Sequence, residues 1–196
     1  MVRLVRQRRI SRPVTTEKPG RQLSRGQRAA RRLVRAARRI LGTRYLRQSG
    51  AVLFSSRETL GPGRYYLLGL NPGGAPNRET VGDSLTALSR YTKNAYLDEV
   101  WAGCPKGRAP IQVRVCTLAA WLGLGTRRLC ASNLVFRRTR GDSGLDWPRD
   151  ADSCWPVHEL ILELVNPDVI LAFGNGNVSP YGYLRRLHKT TYGFWP

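Results

Sequence analysis

The sequence predicts an α/β protein, a parallel sheet with helices on both faces. Three observations point there. Apolar runs of strand length alternate with helical segments along residues 51–188. The run Tyr65-Tyr66-Leu67-Leu68-Gly69-Leu70-Asn71-Pro72-Gly73-Gly74 carries an apolar strand straight into a Gly-Asn-Pro-Gly turn, which is how such folds bring a polar side chain to the carboxyl edge of the sheet, where ligands sit. A second segment, 129–135, has the same design and carries Asn133.

Residues 1–20 are Arg-rich, contain Pro13 and Pro19 and show no apolar periodicity, so they read as a disordered basic arm. Ser24-Arg25-Gly26-Gln27 has the form of a capping box. It opens a helix, assigned with its approach to residues 21–45, in which Ala30, Leu33, Val34, Ala37, Ile40 and Leu41 form one apolar stripe. Gly42 is its expected stop. Arg28, Arg31, Arg32, Arg35, Arg38 and Arg39 fill the remaining surface. The stripe reads as docking on the chain's own domain, residues 46–196, and the arginines as phosphate contacts beyond what solubility needs.

The elements of that domain follow in order. Residues 51–54 suit a short strand, and Gly61-Pro62-Gly63 a turn before the strand 65–70. A loop fills 74–80. Helices are expected over 84–91, 95–101 and 113–122, the last closed by Gly123 and Gly125. A strand at 129–135 leads into a basic loop, 136–150. A helix over 153–165 ends at Asn166-Pro167. Residues 169–173, apolar throughout, read as a strand buried on both faces. Gly174-Asn175-Gly176 turns into a final segment, 181–188.

The net charge of +20 is unevenly spread. Residues 1–50 hold 16 Arg and Lys against Glu17 alone, hence +15, leaving +5 for the rest. Such an excess reads as a polyanion-binding arm, or as a solubilising or non-native upstream extension. Deleting 1–45 is expected to flatten the salt dependence of binding and leave the fold intact. No apolar run approaches the ~18 residues of a membrane span, and residues 1–11 lack the apolar centre of a secretory signal. An Arg-rich, acid-poor start also has the composition of an organelle import signal. Cys104, Cys116, Cys130 and Cys154 include no C-x-x-C pair and fit no common zinc spacing. Four reduced thiols in a cytosolic protein, with no metal, is the expectation.

Two asparagines carry most of the chemistry. Asn71 either faces a ligand that the neighbouring glycines let approach, or bonds its own turn. Asn133 offers an amide with donors and an acceptor, suited to a base edge, or is a buried Asn satisfied by loops. Arg137, Arg138 and Arg140 follow it and could grip phosphates; charge runs are also commonly just solvated.

Gly69-Leu70-Asn71-Pro72-Gly73 resembles the first motif of the uracil-DNA glycosylase superfamily, in its mismatch-specific branch. Ser132-Asn133-Leu134-Val135, then the basic loop, then Trp155-Pro156-Val157 opening a helix, is similar to the family's second and third strand region. Pro167-Asp168-Val169-Ile170-Leu171-Ala172-Phe173-Gly174 is similar to its next strand. The resemblance implies a three-layer α/β/α fold with a roughly four-stranded parallel sheet. It implies base flipping, with Asn71 holding the attacking water, Asn133 reading the base, and Gly73 and Gly74 supplying backbone donors. It implies no cofactor, a DNA partner, a monomer, and a cytoplasmic or, in a bacterium, nucleoid-associated location. The family's His-Pro-Ser type motif has no counterpart before Phe194-Trp195-Pro196, so relative to the family the chain reads either as incomplete in its C-terminal part or as a divergent member lacking normal catalysis. His158 and His188 read as structural and surface residues, and Tyr91 and Tyr96 as candidates for the stacking aromatic. Three functions are consistent with this reading: a base-excising glycosylase, a non-catalytic nucleic-acid binder on the same fold, and an unrelated small-molecule α/β protein. Against the third, residues 69–74 lack the lysine of a phosphate-binding P-loop.

Overall fold

The structure is a computed structural model that describes residues 23–192, with side chains to residue 188. The arm at 1–20 and the final Phe194-Trp195-Pro196 lie outside the described residues. Helix α1, Arg25–Leu46, begins on the anticipated capping box: Ser24 Oγ accepts from Gln27 N at 3.1 Å, and Gln27 Oε1 accepts from Ser24 N at 2.8 Å. Its helical backbone breaks at Gly42, whose φ of 68° suits glycine, and resumes for one more turn. Ala30, Leu33 and Ala37 are fully buried and Val34 and Leu41 pack beside them, whereas Ile40 is exposed. The stripe is therefore part of the domain core.

Strand β1, Tyr65–Gly69, is the centre of a parallel sheet of order β2-β1-β3, with β2 at Cys130–Asn133 and β3 at Val169–Ala172. The described residues thus hold three strands where about four were expected. Side chains alternate between two cores. Tyr66, Leu68, Cys130 and Ile170 face the layer of α1, α2 (Val81–Leu88), α5 (Arg149–Val165) and α6 (Pro180–Tyr192). Leu67, Ala131, Leu171 and Phe173 face α3 (Ala95–Asp98) and α4 (Pro110–Trp121).

Several expectations need correction. Residues 51–54 form no strand, although they run antiparallel along the outer edge of β2. Ala51 N donates to Phe136 O (3.0 Å) and Phe54 N to Ala131 O (2.9 Å), but the bonds between them are taken by hydroxyls: Ala131 N donates to Ser55 Oγ, and Ser132 Oγ to Val52 O. Side chains replace ladder partners, so a regular strand does not form. β3 is not buried on both faces; it is the rim strand, with Val169 42% exposed. α2 starts three residues earlier than expected, at a Thr80–Asp83 capping box. The predicted helix 95–101 is one turn, because Gln112 Nε2 donates to Ala95 O and Glu99 O, both at 2.9 Å, and draws off the carbonyl that a longer helix would use. α5 opens at Arg149, placing Trp155-Pro156-Val157 inside it. All four cysteines are free thiols, with Cys130 and Cys154 buried.

α1 runs antiparallel to α5, pairing Arg32 with Glu163 near one end and Tyr45 with Cys154 near the other. α5 descends from the carboxyl edge, so α1 climbs toward it. Among the described residues no helix is long and apolar enough to cross a membrane.

Candidate functional site

The two asparagines come together at the carboxyl edge. Gly69, the last residue of β1, pairs in register with Asn133, the last residue of β2. Beyond the strands the two chains stay side by side: Leu134 N donates to Gly69 O at 2.8 Å, Val135 N to Leu70 O at 2.9 Å and Thr139 N to Pro72 O at 3.3 Å. Asn71 lies two residues past the partner of Asn133, just beyond the end of β1.

Asn133 is 6% exposed. Its side-chain amide makes no hydrogen bond among the described residues, and its Oδ1 lies far inside contact distance of where a Cβ on Gly69 would stand. Glycine at 69 is a packing requirement: any side chain there would displace the Asn133 amide. An amide so placed and without a protein partner has donors and an acceptor to give a ligand.

Asn71 is half-buried. Its Nδ2 donates to Thr139 Oγ1 at 2.7 Å and to Pro72 O at 3.2 Å, with a longer contact to Thr139 O at 3.5 Å. Thr139 Oγ1 in turn donates to Gly141 O at 2.5 Å. Among the described residues the amide nitrogen is thus committed to the protein, and Oδ1 is the atom left to accept from water or a ligand. Thr139, 7% exposed, fixes this orientation. Sequence reading passed over it, because a threonine in a basic loop carries no signal of its own.

The remaining candidates divide. Gly73 and Gly74 are exposed, and only Gly74, at φ +89°, needs glycine for its backbone. No protein acceptor among the described residues takes their N–H groups. The carbonyl of Gly73 accepts from Arg138 Nη1 at 2.6 Å, so Arg138 ties the basic loop to the turn. Its Nε is buried without a partner among the described residues. Arg137 is not a free phosphate ligand: it forms a two-point ion pair with Asp150 at 2.9 and 2.5 Å and donates to Gly144 O at 2.7 Å. Arg140 is exposed.

His158 is fully buried below the edge. Nε2 lies 3.0 Å from Leu134 O, a carbonyl that can only accept, so Nε2 carries the proton and Nδ1 accepts from Tyr66 OH at 2.8 Å. Burial pushes its pKa down to about 4. The neutral imidazole pins the residue after Asn133 to β1. His188 sits two turns down α6.

Next to the edge lies a cavity of about 60 Å³, with Phe54, Tyr91, Glu79, Glu99 and Arg138 in its wall. It has room for a few waters, and a nucleobase would need it to open. Tyr91 lines it and donates to Glu99 Oε1 at 3.2 Å, whereas Tyr96 is 4% exposed and packs on Phe54 and Trp101.

A larger groove, of about 320 Å³, lies elsewhere, on the solvent side of α1, between Leu23, Arg28, Arg31, Arg32, Arg35, Ala36 and Arg39. α1 has eight arginines and no acid. The pairs 28–31, 28–32, 31–35, 32–35, 35–38 and 35–39 are like charges at helical contact spacing, each unfavourable by about 0.2–0.5 kcal/mol. Arg32 is relieved by Glu163 at 2.7 Å, and Arg38 donates to Thr86 Oγ1 at 2.6 Å.

Among the described residues no three His, Cys, Asp or Glu side chains group as metal ligands would. Comparison of the chain with protein-family models, curated proteins and solved structures finds no match.

Proposed function

We propose that this protein is a nucleic-acid base-handling protein of the uracil-DNA glycosylase type, hydrolysing the N-glycosidic bond of a flipped, damaged or mispaired base. The observation that carries the reading is the meeting of Asn71 and Asn133 at the carboxyl edge, with the Asn133 amide lacking a protein partner among the described residues and the Asn71 Oδ1 left open. A base edge would supply the donor and acceptor that Asn133 lacks. Oδ1 of Asn71 would accept a hydrogen bond from a water aligned on C1′. The water oxygen bonds to C1′, the C–N bond breaks with its electron pair leaving on the base, and the proton that the water gives up passes through solvent to the base. An amide orients water without taking its proton, so slow turnover is expected.

A specific observation favours a second reading, a non-catalytic nucleic-acid binder. Among the described residues no histidine is available at the edge to stabilise the departing base: His158 is sealed in the core and His188 lies down α6. Single-turnover base release separates the two. Duplex and single-stranded oligonucleotides carrying uracil, thymine opposite guanine, or hypoxanthine are the substrates, and Asn71→Ala is the control. Release that is lost in Asn71→Ala supports the glycosylase. Tight binding without release supports the binder.

A further inference from the structure

The arginine groove of α1 presents a separate question from the sheet edge, because it has no part in holding Asn71 or Asn133. Its apolar counterpart is already used: Leu33, Ala30 and Ala37 are buried in the domain core. A basic helix that binds a lipid surface needs a free apolar face to insert, and of its apolar stripe α1 leaves Ile40 alone exposed. What it offers solvent is charge, in a row that follows the helix axis. Arg28, Arg31, Arg35 and Arg39 line the groove over a rise of about 16 Å. Arg32, in the same wall, is held by Glu163. Arg28 donates to Leu23 O and keeps further donors. Arg31, Arg35 and Arg39 are exposed. A single phosphate would engage one or two of these groups, while a polymer with regularly spaced phosphates would engage the row and relieve its mutual repulsion.

We infer that the α1 groove is a track for a phosphodiester backbone, binding nucleic acid independently of sequence and independently of the carboxyl edge. This rests on charge and geometry alone and holds for either reading of the edge. It shares with the proposed function only the class of partner. The groove, fixed in the folded domain, contributes affinity that the N-terminal arm does not supply. Each phosphate neutralised releases counterions, giving a slope of about −0.9 in log K against log salt per phosphate on duplex DNA.

The test is the salt dependence of binding of the full chain to a fluorescent 20-base-pair duplex. The triple variant Arg31→Gln/Arg35→Gln/Arg39→Gln is compared with wild type, with deletion of residues 1–22 and with Asn71→Ala. The three side chains are exposed, and a cooperative thermal melt at or above the wild-type midpoint, as relief of the like-charge pairs predicts, confirms that the variant folds. The expected result is a slope shallower by about 2.5–3, because three phosphates are no longer neutralised, in the wild-type background and in the arm deletion alike, with no change in Asn71→Ala. A slope altered by less than about 1 overturns the track. So does a loss that appears only when the arm is present. Inorganic pyrophosphate and vesicles containing phosphatidylserine serve as competitors. Displacement of the duplex from wild type by either at concentrations matched in phosphate would show a small-anion or lipid site and overturn the polymer assignment. Base release is measured on the same proteins: its loss in Asn71→Ala with the salt slope kept separates the edge from the track, and its absence in wild type counts against the glycosylase while the salt slopes still decide the groove.

Discussion

Acidification is predicted to weaken this protein through His158 at a pH above the range in which Asp98 responds. In the unfolded chain the imidazole titrates near 6.5, and burial holds the folded value at about 4. Between those values the unfolded state binds the extra proton, so stability falls as pH falls. The stabilising contribution is complete above pH 7. Roughly 1 kcal/mol is lost by pH 6, about 2 by pH 5 and about 3 by pH 4. That is a large part of the 5–15 kcal/mol typical of a domain. The groups around the ring are Tyr66, Phe136, Trp155 and the carbonyl of Leu134, with no carboxylate among these contacts to offset the charge. Asp98, held down at about 2 by Arg127, stabilises the fold above about pH 4 and loses that contribution only below it, so the windows separate. Urea unfolding followed by tryptophan fluorescence at pH 7.5, 6 and 5 reads the effect. In His158→Phe the fall between pH 7.5 and 5 should vanish, from a starting stability lower by about 2–3 kcal/mol because Tyr66 OH and Leu134 O lose their partner. A wild-type midpoint that does not move from pH 7.5 to 5, or an equal fall in the variant, would refute the assignment. If the variant does not fold, the imidazole proton resonances of wild type give the same answer: His158 should not titrate above pH 5.

Three further outcomes follow from the geometry. Gly69→Ala drives a methyl into Asn133 Oδ1; it should cost about 1–3 kcal/mol of stability in a urea melt and weaken binding of oligonucleotides containing an extruded base. Thr139→Val removes the acceptor that holds Asn71 Nδ2 at 2.7 Å; base release should fall about tenfold while phosphate-dominated duplex binding stays constant, and an unchanged rate would show that Asn71 needs no such support. Deleting residues 1–45 should unfold the domain, since burial of Leu33 and Tyr45 alone is worth about 5 kcal/mol, whereas deleting 1–22 should leave the circular dichroism spectrum of the domain intact. This replaces the sequence-based expectation that removal of 1–45 spares the fold.

Much of the architecture was legible because it is written in local chemistry. The capping box at Ser24 and Gln27, the break at Gly42 and the helix stop at Asn166 are each decided within a few residues, so sequence finds them. The strands around Tyr66 and Ala131 are apolar runs too short for helices. The missed start of α2 was also local: Thr80 and Asp83 form the same kind of box, obscured by the glycine between them. What sequence could not weigh was competition between distant groups. Whether residues 51–54 become a strand depends on Ser55 and Ser132 taking backbone bonds. Whether 95–101 becomes a helix depends on Gln112, more than ten residues away. Whether the apolar run at β3 is buried depends on which strands stand beside it, and among the described residues β3 has only β1.

The same division holds at the site. By itself the sequence determined an α/β chain with polar residues at two strand ends and a helix whose apolar stripe must dock, because periodicity, turn chemistry and charge spacing are properties of neighbouring residues. Only the tertiary structure decided that Asn133 stands against Gly69 with its amide unpartnered, that Thr139 turns Asn71, that Asp150 withdraws Arg137 while Arg31, Arg35 and Arg39 stay exposed, and that His158 is a neutral strut. These outcomes depend on which groups meet across long stretches of chain and on how much water burial removes from them, and both are set only when the layers pack.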